Sequence, residues 1–463
     1  MSERYVEATT LPQGSLSSEY KQDRDVVINP TPSNVPSTAP PPAPDGGFKA
    51  WSQVAVAHLV IFNCWVSISQ ILREKSTTRS SRARSQGYIS SFGLFQSYYT
   101  ATFDVAPSAI SWIGSVQILL IYLVGTFSGR ALDAGHFRAV TAAGFALQVA
   151  GVFATSVSTR YWHLFLAQGV CKGLGDGLVF CPAVALVATY FAARRSLAIG
   201  VMATGGATGG VAFPLVARQL LARVGFGWTV RVMGFVVLFN ACVFCAVARV
   251  RVRSAAKNIK RPLVEWAAFA EPAYSLFCAG MFLNLWAVFF AYFYVGSYAR
   301  DVLRASDATA LTLLLVMNAV GVPARLGCGW VADRLGPVNT LVPAVFCAGV
   351  LFFCWIAVGS LGGLYAFCVV YGFFGGGIQS LFPAACASLT TDMEKMGVRT
   401  GMCFSVVSFA CLTGPPIAGA LIQRRDGGYL YAQLFSGAAM MAGTLTLMAA
   451  KASRNGWDWK KRM

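Results

Sequence analysis

Apolar runs of roughly 20 residues recur from about Ser52 to Ala450, and that recurrence leaves few folds open. A helix of this length crosses about 30 Å of hydrocarbon. Inside lipid, only helices and closed barrels satisfy their own backbone polar groups. Charged residues make up 12% of the 463, against about 25% in ordinary soluble chains. They are missing from the runs rather than thinned evenly.

Spans are expected at about 108–128, 138–157, 162–190, 196–221, 228–248, 273–297, 308–331, 340–360, 363–389, 399–422 and 429–450, after a first one beginning near Ser52. That first span is interrupted. It reads well from Ser52 to Trp65 and again from Gly87 to Tyr99, but 66–86 holds Arg73, Lys75, Arg79, Arg82 and Arg84 against Glu74. Five cations at the centre of a membrane helix would cost on the order of 12–18 kcal/mol. Removing 66–86 joins Trp65 to Gly87 in one continuous span. The segment reads as a retained intron translated in frame: Val66-Ser67 can be encoded GTAAGT, a donor site, and Gln86 as CAG, an acceptor. The rival is a true loop between Ser52–Leu72 and Tyr88–Phe103, which gives thirteen spans. Complementary DNA that keeps the segment in every transcript would exclude the intron.

The formal charge of +18 raises the question of nucleic acid. Its placement answers no, because Lys and Arg crowd into short connections such as Arg249, Arg251, Arg253, Lys257, Lys260 and Arg261, and into the tail after Ala450. Cationic loops beside apolar spans follow the positive-inside rule. Both tails, the loops near Arg138 and Arg194, and the connection 249–271 are therefore expected in the cytosol, with the chain multi-pass in the plasma membrane and the lipid bilayer as its partner. Residues 1–46 carry seven prolines between Pro30 and Pro44 and read as a disordered cytosolic tail. The remaining divisions are 47–248, the basic linker 249–271, 272–450, and a short basic tail 451–463. Most of the thirteen cysteines lie inside apolar runs, and Cys242-x-x-Cys245 has no second pair, so no metal or cofactor is expected. Without a nucleophile–base pair or P-loop, the chain does not read as an enzyme.

Punctuation repeats in the two halves. Gly129-Arg130-Ala131-Leu132-Asp133-Ala134-Gly135, followed by Arg138, has a counterpart in Gly329-Trp330-Val331-Ala332-Asp333-Arg334-Leu335-Gly336. Gly173, Gly175 and Gly177 before Pro182 match Gly375, Gly376 and Gly377 before Pro383. A parallel repeat of this kind implies two halves rocking about a site near the bilayer midplane. The expected fold class is an all-α membrane protein with twelve transmembrane helices as two six-helix bundles.

The Gly-x-x-x-Asp-x-Gly pattern, with its weaker second copy, resembles the signature loop of the major facilitator superfamily. Asp45-Gly46-Gly47-Phe48-Lys49-Ala50-Trp51 looks like the Asp-Gly-Gly-aromatic motif that opens the first helix in the monocarboxylate porter family. Tyr190-Phe191-Ala192-Ala193-Arg194-Arg195-Ser196-Leu197-Ala198-Ile199-Gly200 resembles that family's motif before the fifth helix, and the Pro-rich tail is most like fungal members. The resemblance implies proton-coupled transport of monocarboxylates by alternating access. Two positions depart from it. Ile89-Ser90-Ser91 lacks the Lys that animal members carry late in the first helix, and Gly321 stands where they have an Asp one turn before an Arg matched by Arg325.

Ionisable groups inside a membrane span are functional candidates by default. Arg325 is the candidate to hold a carboxylate bidentately, or else to bond helix ends at the gate. Lys172 and Asp176, four residues apart on one helix face, are the candidate proton carrier, or else a closed ion pair that orients their helix. Among the neutral polar residues Asn63, Asn284, Asn318, Gln168 and Gln379, helix-to-helix hydrogen bonding is the default role, and Asn284 and Asn318 are the candidates to line the substrate site. His58 reads as an interfacial structural histidine. Gly129, Arg130, Asp133, Arg138, Asp333 and Arg334 are expected to form a cytosolic gate. Two functions remain open: a proton-coupled carrier of monocarboxylates or related organic anions, and an exporter of a larger apolar metabolite, which the aromatic seventh span (Phe289, Phe290, Tyr292, Phe293) favours.

Overall fold

The structure is a computed structural model that describes residues 43–64, 107–251, 264–390, 395–424 and 427–456, and among them there is no strand. The N-terminal half holds α1 (Gly47–Cys64), α2 (Pro107–Leu123), α3 (Gly125–Asp133), α4 (Phe137–Ser156), α5 (Tyr161–Tyr190), α6 (Arg195–Leu221) and α7 (Arg223–Val247). A short α8 (Trp266–Ala270) leads into the second half. That half holds α9 (Pro272–Asp301), α10 (Asp307–Leu335), α11 (Pro337–Ile356), α12 (Leu361–Leu389), α13 (Met396–Gln423) and α14 (Leu430–Asn455).

Eleven helices among the described residues are long and apolar enough to cross a membrane, α2 and α3 together making one. The 18-residue α1 stands at the place of the first expected span. The interrupting segment 66–86, its rival reading, the resumed span Gly87–Tyr99, the tail 1–42 and residues 252–263 of the basic connection lie outside the described residues.

Local chemistry sets the helix ends. Pro272 and Pro337 start α9 and α11, where a missing N–H costs nothing. Ser306 and Ser360 cap α10 and α12 by accepting from Thr309 N and Gly363 N. The second and eighth spans run a turn further than expected, to Asp133 and Leu335. The last glycine of each repeated motif marks the stop: Gly135 and Gly336 have φ of +84° and +98°, a region L side chains avoid.

Within the N-terminal half, α1 packs on α5 and on the α6–α7 pair, and α4 packs on α5. In the second half α9 packs on α13 and α14, and α10 on α12. The halves meet where α2 and α3 lie on α13, and where α6 lies on α10. Small residues make these approaches possible. A methyl group on Gly175 would stand 2.5 Å from Gln148 N of α4, and one on Gly177 would collide with Leu120 O of α2. The matching run in α12 does the same work, since a methyl on Gly376 would stand 2.9 Å from Gly321 Cα.

Candidate functional site

Arg325 is buried in α10, its residue surface 3% exposed. Its Nη1 donates back to Gly321 O at 2.9 Å and its Nη2 donates to Gln379 Oε1 of α12 at 3.0 Å. Nε has no partner, and neither has the buried Tyr292 Oη of α9. No carboxylate pairs with this guanidinium among the described residues. Gly321 explains how it fits: a methyl there would stand 2.5 Å from Nη1, so the missing side chain leaves the room the guanidinium occupies. A buried cation without a counter-ion is costly, and a carboxylate-like group would satisfy it with paired, charge-assisted hydrogen bonds.

Lys172 and Asp176 meet in α5, with Nζ donating to Oδ2 at 2.7 Å and both side chains fully enclosed. Gln117 Nε2 of α2 donates to the same oxygen at 3.0 Å, and Gln148 Nε2 of α4 donates to Oδ1 at 2.5 Å. Lys172 Nζ also reaches Asn63 O of α1 at 3.4 Å. Asn63 in turn donates to Val237 O of α7 and accepts from Asn240 Nδ2 at 2.8 Å. One ion pair thus ties α5 to α1, α2 and α4, and through Asn63 to α7. In this structure the pair is closed. Lys172 also ends an eight-residue π-helical stretch, Phe165–Lys172, a feature common at functional sites and invisible in the sequence.

The two asparagines part company. Asn318 lies two turns before Arg325 on the same face of α10, its Oδ1 3.1 Å from where a methyl on Gly210 of α6 would be. Asn284 is pressed against Gly443 of α14, where a methyl would stand 2.5 Å from its Oδ1. It lies eight residues before Tyr292 on α9, about 12 Å along the axis, so it is not brought to Arg325.

The end of the molecule where α1, α6 and α13 begin and α3 and α10 finish carries the residues expected to form the gate. Asp333 caps α6 across the boundary between halves, its carboxylate accepting Ser196 N at 2.7 Å and Leu197 N at 3.0 Å. Arg334 stacks over Trp330, 3.6 Å from the ring centre. Gly129 lies where a methyl would stand 2.6 Å from Gly397 O of α13, and Gly329 where one would stand 2.8 Å from Ser196 O. The closeness recurs one turn on: Gly401 against Gly125 O, and Gly200 against Arg325 O, at 2.7 and 2.6 Å. Thr126 and Ser405 hydroxyls bond at 2.6 Å across the first of these seams. Arg138 is exposed at this end, Arg130 is partnered, and the side chain of Asp133 is outside the described set. A cavity of about 360 Å³ opens beside the clamp, lined by Arg195, Ser196, Asp333, Ser388 and Arg454 among others.

Sequence reading missed two anchors. Asp45 Oδ1 accepts Ala192 N and Ala193 N at 2.5 and 2.8 Å, fastening the start of α1 to the loop before α6. In the second half, Arg399 of α13 is gripped by Glu265 and Glu271 on either side of α8, at 3.1 and 2.6 Å, with Lys395 on Glu265 at 2.9 Å. These occupy equivalent places, the first helix of each half lashed to the fifth. The chemistry differs (a backbone cap in one half, a salt bridge in the other), so motif matching between halves does not reveal the pair. His58 lies eleven residues into α1 and bonds to α6.

Two helical halves sharing close inner seams, with an unpaired cation beside one of them, define a membrane transporter. The Major Facilitator Superfamily model matches residues 85–415. The chain is 44% identical over 423 residues to an MFS-type transporter of Gibberella zeae, covering 91% of this chain and 90% of that one. It is 34% identical to the aspyridones efflux protein of Emericella nidulans, covering 94% and 83%, and 34% identical to the agnestins efflux protein of Paecilomyces divaricatus, covering 79% and 84%. The crystal structure of the human organic anion transporter MFSD10 shares the fold with a TM-score of 0.63 at 13% identity, over 86% of this chain and 99% of that one. This chain belongs to the major facilitator superfamily.

Proposed function

We propose that this protein exports an amphipathic, largely apolar metabolite that carries one acidic group, and that Arg325 holds that group. The observation that carries the reading is the buried guanidinium that has no carboxylate partner among the described residues and whose Nε is unbonded there. Around it the wall is aromatic: Tyr292 meets Tyr371 with ring centres 6.1 Å apart, and Phe289 and Phe293 flank Tyr292 along α9. A cation in an aromatic wall suits an acid on an apolar skeleton. The names of two relatives as efflux proteins of fungal metabolites support export. Asn318, on the same face of α10, is the next group such a ligand meets. The protein sits in the plasma membrane with both tails in the cytosol, the gate of Gly129, Arg130, Asp133, Arg138, Asp333 and Arg334 closes the inner end, and protons are the coupling ion.

The second reading is proton-coupled carriage of small monocarboxylates, favoured by Arg325 together with the Asp45 and Tyr190–Gly200 motifs. Flux in proteoliposomes decides between them, using aromatic acids, their methyl esters, and short monocarboxylates, with and without residues 66–86 in the chain. The exporter reading expects aromatic acids to move, their esters to move at least tenfold more slowly, and Arg325→Ala to abolish the difference. Saturable flux of short monocarboxylates alone would establish the second reading. Equal flux of acid and ester would remove Arg325 from the substrate site.

A further inference from the structure

His58 stands in the joint between α1 and α6 with oxygen atoms on both ring nitrogens. Nδ1 lies 3.2 Å from Val201 O and 3.1 Å from Thr204 Oγ1, and Nε2 lies 3.2 Å from Thr208 Oγ1. A carbonyl oxygen only accepts, so Nδ1 carries a hydrogen. Thr204 spends its own hydrogen on Val201 O at 2.7 Å, which leaves its oxygen as a second acceptor for Nδ1. The state of Nε2 then depends on Thr208. With the Thr208 hydroxyl donating to Gly205 O at 3.1 Å, its oxygen accepts from a protonated Nε2. With Nε2 bare, that hydroxyl must turn from its own helix and donate to the ring.

We propose that His58 is a proton-binding site of the transport cycle, taking up and releasing a proton at Nε2 by exchange with the Thr208 hydroxyl. In both protonation states Nδ1 and Nε2 keep a hydrogen-bond partner, so the proton can come and go without leaving a ring nitrogen unpaired. Its surroundings suit a switch. The ring is half-buried. The joint is tight: a methyl on Gly205 would collide with His58 O, and one on Gly209 would stand 2.7 Å from Phe62 O. A change in one hydrogen bond therefore alters how firmly α6 is held to α1.

The position of α6 gives the site its consequence. One face of α6, with Thr204, Gly205, Thr208 and Gly209, meets α1. The other, with Gly200 and Gly210, meets Arg325 O and Asn318 of α10. Its first turn is capped by Asp333. His58, Arg325 and Asp333 thus all touch α6.

Few charged groups face the joint. From α5 the Lys172–Asp176 pair reaches Asn63 O, five residues along α1, and from α10 comes Arg325 on the far face of α6. α7 presents the neutral Asn240 there, while its Cys242 and Cys245 are exposed. Among the described residues α6 has no acid or base between Ser196 and Ala217, and α1 adds Cys64 and, at its exposed start, Lys49. Asp176 is filled by three donors, whereas Nε2 of His58 faces a single hydroxyl that can serve as donor or acceptor. What the proton is exchanged against rests on the exporter reading; its binding does not, so the two fail separately.

The chain has three histidines, His58, His136 and His163, which makes the test direct. Full-length protein in nanodiscs, labelled with 15N at histidine, is titrated from about pH 5 to pH 8.5, bracketing the usual histidine range. The signal missing in His58→Gln is expected to titrate at Nε2 while Nδ1 stays protonated. In Thr208→Val its midpoint moves, because the hydroxyl that bonds Nε2 in both states is gone. Should His58→Gln fail to fold, His136→Gln and His163→Gln assign the other two signals and leave His58 by elimination. A His58 ring fixed in one neutral tautomer across the range, or a midpoint unmoved in Thr208→Val, overturns the proposal.

Discussion

Asp45 and Asp333 hold one short segment from two different halves of the molecule: Asp45 accepts Ala192 N and Ala193 N, and Asp333 accepts Ser196 N and Leu197 N. The segment enters α6. Asp45 belongs to the same half as α6, so its bond survives when the halves move. Asp333 belongs to the other half, so any movement that parts the halves at this end breaks its bond. Two carboxylates making the same kind of contact therefore have different consequences.

Asp333→Ala removes a cap present in the closed state alone. Loss of an N-cap costs about 1 kcal/mol, enough to raise the inner-open population roughly fivefold. Amide hydrogen exchange at residues 195–200 should rise accordingly. Asp45→Ala should raise exchange at 192–193 while leaving the open population unchanged, since it loosens both states alike. Equal effects of the two variants on gate opening would show that the clamp is not selective for the closed state.

The seams on either side of the gate should be more sensitive than the caps. Gly200→Ala and Gly401→Ala each put a methyl within 2.6–2.7 Å of a carbonyl oxygen of the opposite half, nearer than backbone can tolerate. Closure at the inner end should be blocked, with spin-label distances across Gly129–Gly397 widening and flux falling at least tenfold. Gly327→Ala, which meets nothing within 4 Å, is the matched control and should be neutral or slightly stabilising, as Gly-to-Ala in a helix is.

Span positions were legible because lipid demands long apolar helices, and ten of the eleven expected after the first begin within about three residues of the observed helices. The sixth, α7, starts five residues early, at Arg223 rather than 228. Arg325 was legible for the complementary reason, that a cation inside a span is rarely idle. Partner identity was not. Sequence placed Lys172 beside Asp176 by helical spacing, but Gln117 and Gln148 come from other helices, and nothing local marks them as the donors that complete the carboxylate. Asn284 and Asn318 look alike in sequence, and only the approach of Gly443 to one and Gly210 to the other separates them. Asp45 was read as part of a motif, without its function as a cap, because a cap is defined by the backbone it meets.

The Lys172–Asp176 pair separates by a variant series. Asp176→Asn leaves a buried lysine unpaired and should destabilise the protein by about 3–5 kcal/mol. Lys172→Met combined with Asp176→Leu removes both charges at similar volume and should recover most of that loss. If the pair is a fixed strut, the double variant keeps the pH dependence of flux. If Asp176 carries the transported proton, the double variant folds but loses that dependence, and thermal unfolding measured alongside flux tells the two apart.

Acid should loosen the second half first at α8. The Arg399 guanidinium, with Lys395 beside it, holds the Glu265 carboxyl below the usual carboxylate range, against a smaller opposing effect of burial. A group depressed in the folded state contributes stability above its unfolded value, here about 4.5, and loses it as pH falls through the lower folded value. Thermal stability should hold from pH 7 to about 5 and then decline. Glu265→Gln should lower it by about 1–2 kcal/mol at pH 7, the worth of a charge-assisted bond in a half-covered site, and flatten the decline below about 4.5. Glu271 also grips Arg399, so the difference between wild type and Glu265→Gln is the quantity to follow. A difference that stays constant from pH 7 to 3.5 would mean that Glu265 contributes by packing and not by charge.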